Sequence, residues 1–206
     1  MLKVVCVCRS GAEYNAEWVR KLKDAVARDL TLPYEFVCLS DIEVPNRVPL
    51  RHRWPGWWSK IELFSYVDGP ALYLDLDTVV TGNIDHLVGG DSFKAIRNFH
   101  DPNMIGSAVM WFPGPMKFVY DRFCERPWKW IEYHEKKRNG PYLGDQAFIW
   151  DSLKRNVENF DMEKCGIKSY KFHCKAGLPP DTRLVCFGGL PKATDVKADW
   201  LERHWK

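Results

Sequence analysis

Asp75 and Asp77 stand two residues apart, directly after the apolar run Ala71-Leu72-Tyr73-Leu74. Two carboxylates crowded together repel each other unless a cation lies between them. Hard oxygen ligands with phosphate nearby suit Mg²⁺ or Mn²⁺. The run before them reads as a buried strand. In open α/β sheets, ligands bind beyond the carboxyl ends of the strands. The pair therefore sits where a phosphorylated ligand would be held. The bland alternative is a solvated loop carrying two unrelated acids.

Two reaction classes use such a segment, and Asp75-Leu76-Asp77-Thr78-Val79 satisfies both patterns. One is the D-x-D of metal-dependent glycosyltransferases, where the cation bridges to the diphosphate of a nucleotide sugar. The other is the D-x-D-x-[TV] of haloacid-dehalogenase-type phosphatases, where the first Asp is the nucleophile. The phosphatase needs its motif after an early strand, then a downstream Lys and a paired acidic motif. Here the motif lies about a third of the way along, and no such acidic pair follows. The glycosyltransferase needs a strand–helix–strand nucleotide unit ahead of the motif.

Residues 3–39 supply that unit. Residues 3–8 (KVVCVC) predict a buried strand, broken by Arg9, Ser10 and Gly11. Residues 16–30 predict a helix with Val19, Leu22, Val26 and Leu30 on one face. Residues 34–39 predict a second strand, so the chain opens as a parallel α/β unit. Residues 41–56 read as loop and 57–67 as helix. Strands are expected at 71–74, 93–97, 107–112, 168–172 and 184–187. Helices are expected at 115–125, opening on Pro115, and from about Asp145 to Asn156. With no repeat, low-complexity run or linker, one α/β domain over 1–206 is the economical reading, its nucleotide half (1–80) ending in the D-x-D and its sugar and acceptor half spanning 81–206.

Composition narrows the partners. With 46% hydrophobic and 28% charged residues, intrinsic disorder and coiled coil are excluded. Thirty basic against 27 acidic side chains leave +3, too weak a balance to argue for nucleic acid by itself. Ten Trp, eight Tyr and eleven Phe mean either a Trp-rich core or rings lining a site for sugars or bases. Seven Cys without a CxxC pair or zinc-ligand spacing point to a reducing, cytoplasmic setting. Neither a signal peptide nor an apolar stretch of ~18 residues is visible, so no membrane span is expected.

A resemblance runs along nearly the whole chain. VVCVCRSGAEYNAEWVRKL at the start, GWWSKIELF at 56–64, LYLDLDTVVTGNID at 72–85, SAVMWF at 107–112, GDQAFIW at 144–150, SYKFHC at 169–174 and LVCFGGLPK at 184–192 occur in order, followed by WLERHW. In this arrangement the chain resembles a small family 8-type glycosyltransferase of GT-A fold, of the compact bacterial and phage kind. The resemblance implies transfer of a sugar, with retention, from a nucleotide diphosphate sugar such as a UDP-hexose. The acceptor is left open as a glycan, a small molecule or a modified DNA base: the mildly basic balance and the spare rings Trp54, Trp57, Trp58, Trp128 and Trp130 allow stacking on a sugar or on a base.

Residue by residue, the resemblance gives Asp75 and Asp77 the cation, Mn²⁺ or Mg²⁺, and through it the diphosphate. Lys60 matches a basic position facing the donor phosphates. Arg9 and Tyr14 fall where base and ribose are gripped. Asp145 and Gln146 match the acidic-Gln segment beside the transferred sugar, in a catalytic role. Gly189 and Lys192 match the closing G-x-x-K, with bare backbone and an ammonium near phosphate. Two departures stand out. The His that serves the family as third metal ligand is replaced by Cys186 or Gly188, depending on the form of the motif, and His173 is the nearest spare imidazole. Gly106 takes the place of an Asn that touches the sugar. A module that binds a sugar nucleotide without turnover is therefore an alternative, beside the phosphatase.

Overall fold

The computed structural model describes residues 1–11, 13–136, 144–154 and 156–206. In chain order its elements are β1 (Leu2–Cys8), α1 (Ala16–Asp29), β2 (Tyr34–Ser40), β3 (Arg47–Pro49), a 3₁₀ segment (Gly56–Glu62) running into α2 (Leu63–Tyr66), β4 (Ala71–Leu74), β5 (Thr78–Val80), β6 (Lys94–Arg97), β7 (Ile105–Phe112), α3 (Lys117–Glu125), α4 (Pro127–Lys136), α5 (Gly144–Ser152), β8 (Glu158–Asn159), β9 (Ile167–Ser169), β10 (Leu184–Cys186) and α6 (Asp199–His204).

The central sheet has seven strands in the order β3-β2-β1-β4-β7-β6-β8. The first four are mutually parallel, β7 runs antiparallel to β4 and β6, and β8 is parallel to β6. This is a mostly parallel mixed sheet. Alternation along β1 explains its burial on both faces. Val4, Cys6 and Cys8 pack into one apolar cluster with α1 and α6, while Val5 packs into a second with α2, α3 and α5. Helix α1 starts at Asn15, whose side chain accepts from the amides of Glu17 and Trp18, and it buries Trp18, Val19, Leu22, Ala25 and Val26. The opening strand–helix–strand unit is thus formed as the pattern predicts.

A second, three-stranded sheet, β5-β10-β9, lies beyond the end of β4. Its strand β5 begins directly after the D-x-D, and β10 pairs with it antiparallel, Cys186 opposite Thr78.

Several expectations change. The segment 57–67 is a 3₁₀ turn to Glu62 with α helix only from Leu63 to Tyr66. Strand 168–172 ends at Ser169, and Tyr170–Cys174 wind into a π-helical turn in which the Ser169 amide donates to His173 Nδ1 at 3.0 Å. The loop 41–56 contains β3, and α3 starts at Lys117, past Pro115. Helix α5 spans Gly144–Ser152, and residue 155 lies outside the described residues. Five of the ten tryptophans (18, 54, 58, 111 and 200) are buried, so half of the tryptophans belong to the core. Among the described residues no helix is long and apolar enough to cross a membrane, and the seven cysteines are free.

Candidate active site

Five chain segments converge at the carboxyl end of β1 and β4. They are the loop after β1 (Arg9 to Tyr14), the 3₁₀ turn with Trp57 and Lys60, the D-x-D, the start of α5, and the loop after β10 (Gly188 to Lys192). They line one cavity of about 720 Å³. Every site residue singled out in the sequence lies on its wall: Arg9, Tyr14, Lys60, Asp75, Asp77, Asp145, Gln146, Gly189 and Lys192.

Lys60 ties two of the acids together. Its ammonium lies 2.9 Å from Asp75 Oδ1, 3.1 Å from Asp145 Oδ2 and 3.0 Å from Ser107 Oγ. Burial opposes its charge, but Asp145 and Asp75 outweigh that and raise its pKa. Two neighbours complete the array. Tyr73 donates to Asp75 Oδ1 at 2.6 Å, and Ser107 donates to Asp145 Oδ2 at 2.7 Å. Asp145 also sits in the first turn of α5, where the helix dipole favours a negative charge. With these three acceptors in place, Lys60 holds Asp75 and Asp145 relative to each other.

Lys192 does the same for Asp77, from 115 residues away. Its ammonium donates to Asp77 Oδ2 at 2.7 Å and to the Tyr14 hydroxyl, and pairs with Glu13 at 3.3 Å. Tyr14 in turn donates to Asp77 Oδ2 at 2.8 Å. An ammonium has three hydrogens, and these three acceptors match them. Burial and the charge of Asp75 raise the Asp77 pKa, while Lys192 and Tyr14 pull against that rise. Burial beside Asp77 also raises the Tyr14 pKa, which keeps the phenol protonated.

The closing loop leaves the cavity wall bare. Gly189 has φ +72, a left-handed conformation that favours glycine. Gly188 has open space around a would-be Cβ. Cys186 is buried in β10, and burial holds its thiol well above its usual pKa, so it stays protonated and unsuited to a hard cation. His173 is held by the Ser169 amide and packs on Phe99. Among the described residues no three metal-ligating side chains form a group. No hydrogen bond within them reaches Asp75 Oδ2 or Asp77 Oδ1. Two carboxylates with one uncommitted oxygen each fit a hard cation whose other positions go to phosphate and water.

No protein-family model matches the chain, and no curated protein matches it in sequence. Solved structures do. The glycosyltransferase GlyE of Streptococcus pneumoniae TIGR4, in its apo form, matches with a TM-score of 0.67 at 15% identity, over 97% of this chain and 59% of GlyE. The galactosyltransferase LgtC, in complex with donor and acceptor sugar analogues, matches with a TM-score of 0.63 at 14% identity, over 98% of this chain and 93% of LgtC. The bifunctional glycosyltransferase WbbM matches at 0.58 and 12%, over 93% of this chain and 46% of WbbM. The fold is GT-A. This chain spans about three fifths of GlyE's length.

Within the GT-A frame, some residues sit otherwise than the motifs imply. The Arg9 guanidinium is paired with Asp41, at the end of β2, which also accepts from the Ser10 amide at 2.8 Å and the Ser10 hydroxyl. Asp41 thus supplies an acid to the corner after β1, where the sequence shows none directly after the strand. Burial alone would raise the Asp41 pKa, but the Ser10 bonds and Arg9 lower it. Gly106 packs into the core, where a Cβ would stand 3.1 Å from Ile96 Cγ1, and the polar group that β7 offers the cavity is Ser107. Of the spare rings read as platforms for a sugar or a base, Trp57 lies on the cavity wall, whereas Tyr73, Ser107 and Glu13 were not singled out in the sequence as site residues. Tyr73 carried a signal, since positions two apart on a strand share a face with Asp75. Ser107 and Glu13 carried none.

Proposed function

We propose that the chain is a nucleotide-sugar glycosyltransferase that moves a hexose, with retention, from a UDP-sugar to an acceptor hydroxyl. The observation that supports it best is the meeting of the D-x-D with Lys192 of the closing loop, at the mouth of one GT-A cavity. Asp75 and Asp77 are the residues that would hold Mn²⁺ or Mg²⁺. Bound there, the ion supplies Lewis-acid neutralisation of the departing diphosphate.

The chain's own residues do the rest. Lys192 turns from Glu13 and Asp77 toward the diphosphate and places fixed positive charge where negative charge grows. Gly188 and Gly189 admit phosphate close to the backbone. Lys60 and Ser107 hold Asp145 with one carboxylate oxygen uncommitted beside the sugar, where it stabilises an oxocarbenium-like transition state. Gln146 positions the sugar. The acceptor oxygen bonds the anomeric carbon as the bond to the diphosphate oxygen breaks with its electron pair, and the hydroxyl proton leaves with the diphosphate.

The test is donor hydrolysis with a panel of UDP-sugars and Mn²⁺, read by release of UDP and by the anomeric configuration of the product. Turnover that Asp75→Asn abolishes supports the reading. UDP binding without turnover points to a binding module. Release of phosphate from an aryl phosphate points to a phosphatase, which would need Asp75 as nucleophile although Tyr73 and Lys60 hold its Oδ1.

A further inference from the structure

Trp57 and Trp58 are adjacent but have opposite fates. Trp58 is 1% exposed and donates through Nε1 to Glu135 at 3.1 Å. Trp57 is 57% exposed, on the cavity wall, with no hydrogen bond or ring contact among the described residues. Leaving so large an apolar ring in water forgoes the burial that Trp58 gains. Nor is it loosely placed. Gly144 lies against its pyrrole nitrogen: a Cβ there would stand 2.6 Å from Trp57 Nε1, and its φ of +69 favours glycine in any case. The ring is held at one corner, with Asp145 and Gln146 following Gly144 directly.

An open indole face in a polar cavity stacks on the CH face of a sugar ring or on a nucleobase. Charge separates the two. Each lining cation is already paired: Lys60 with Asp75 and Asp145, Lys192 with Asp77 and Glu13, Arg9 with Asp41. A nucleic acid needs a run of Lys and Arg along successive phosphates; the described cavity wall carries three cations, each with an acid partner, and of these the donor diphosphate takes Lys192. Gln146, by contrast, lines the cavity with an amide that no described residue engages, and an amide can both donate to and accept from hydroxyls. Resting on the glycosyltransferase reading, we propose that Trp57 is the acceptor platform, and that the acceptor is a neutral saccharide stacked on the indole beside Gln146.

The test labels the protein with 5-fluorotryptophan and follows ¹⁹F NMR, with Trp57→Phe assigning the Trp57 signal. Gly144→Ala, which pushes on the ring, should move that signal in the free protein. With Mn²⁺ and UDP present, methyl β-galactoside, methyl β-glucoside and a short DNA duplex are then titrated separately. The expected result is a saturable shift of the Trp57 signal with a glycoside and none with DNA. In transfer to the same glycosides, Trp57→Ala should raise the acceptor KM about tenfold, with a far smaller change in UDP Kd, and Trp57→Phe should recover much of the loss. A Trp57 signal that ignores both glycosides, or that moves with DNA, overturns the proposal. So does an acceptor KM that Trp57→Ala leaves alone. A protein that fails to bind UDP at all instead overturns the glycosyltransferase reading, and the glycoside titration still judges Trp57.

Discussion

Replacing Lys192 by Met should strengthen cation binding to the free protein and weaken binding of the nucleotide. Lys192 Nζ lies 2.7 Å from Asp77 Oδ2. A cation on Asp77 Oδ1, at about 2.1 Å from that oxygen, would stand on the order of 5 Å from the ammonium. Charges of +1 and +2 at that separation repel by roughly 1.7 kcal/mol at a water-like dielectric and roughly 6.6 kcal/mol at an effective dielectric of about 20. The cavity is open to solvent, so the lower figure is the floor. At about 1.4 kcal/mol per decade, it predicts more than tenfold tighter Mn²⁺ binding by Lys192→Met without nucleotide. Met keeps the length of the apolar stem, so packing changes little. For UDP the sign reverses. A lost charge-assisted bond to phosphate costs about 1.5–3 kcal/mol, or roughly 10- to 100-fold in affinity. The assay is Mn²⁺ titration by electron paramagnetic resonance, with and without UDP, near pH 8. The pH matters because Lys192 pulls the Asp77 pKa down, and without it Asp77 protonates more readily. Mn²⁺ affinity that stays level or falls in the variant would refute the idea that Lys192 is an internal counter-ion competing with the metal.

Three further outcomes can be measured. Because the folded-state pKa of Asp77 is raised, its contribution to stability is present below the unfolded value of about 3.9 and is lost as pH rises through the folded value; the Tm of Asp77→Asn minus that of the wild type should therefore climb across this acidic window and then level off, and a flat or falling difference would mean that Lys192 outweighs burial. Gly188→His restores an imidazole where a Cβ has open space, so it should tighten Mn²⁺ binding without nucleotide at least about tenfold while Tm stays within a few degrees; unchanged affinity would place residue 188 out of reach of the cation. Cys186→Ala should leave Mn²⁺ binding unchanged while costing on the order of 1 kcal/mol in urea unfolding, since the thiol is buried and protonated; loss of Mn²⁺ affinity would make that sulfur a ligand after all.

The parts of the fold governed by local periodicity were legible in the sequence. Strand β1, helix α1, strand β2 and strand β4 each carry an apolar pattern long enough to betray its period, and the D-x-D follows β4 as read. What was not legible lies in short or long-range features. Thr78-Val79-Val80 looked like the tail of a motif but forms β5, because its partner β10 lies about a hundred residues on. Residues 170–172 read as the continuation of a strand, yet the bond that the Ser169 amide donates to His173 Nδ1 favours a π turn over Tyr170–Cys174. The sequence shows the position of Lys60 but not its bonds to Ser107 and Asp145, which come from β7 and α5. The Lys192–Asp77–Tyr14 cluster draws on three distant segments, and no spacing rule joins them. The missing acid after β1 was a true gap in sequence that parallel pairing fills, by setting Ser40, and so Asp41, level with the end of β1.

The small second sheet also bears on the order in which the molecule assembles. Strand β10 zips onto β5, and the Phe187 amide donates to the Asp77 carbonyl at 3.0 Å, so the closing loop is fastened to the D-x-D by a ladder between distant parts of the chain. Closing so long a loop is entropically costly and slow relative to local structure. The β1–α1–β2 unit needs only neighbours in sequence and can form first. Until β10 docks, Asp77 lacks the ammonium of residue 192, while Asp75 relies on Lys60, which comes from the 3₁₀ segment before β4. Docking of β10 is thus the step that brings the Lys192 ammonium to the D-x-D, so this ion pair depends on the slowest-closing part of the topology.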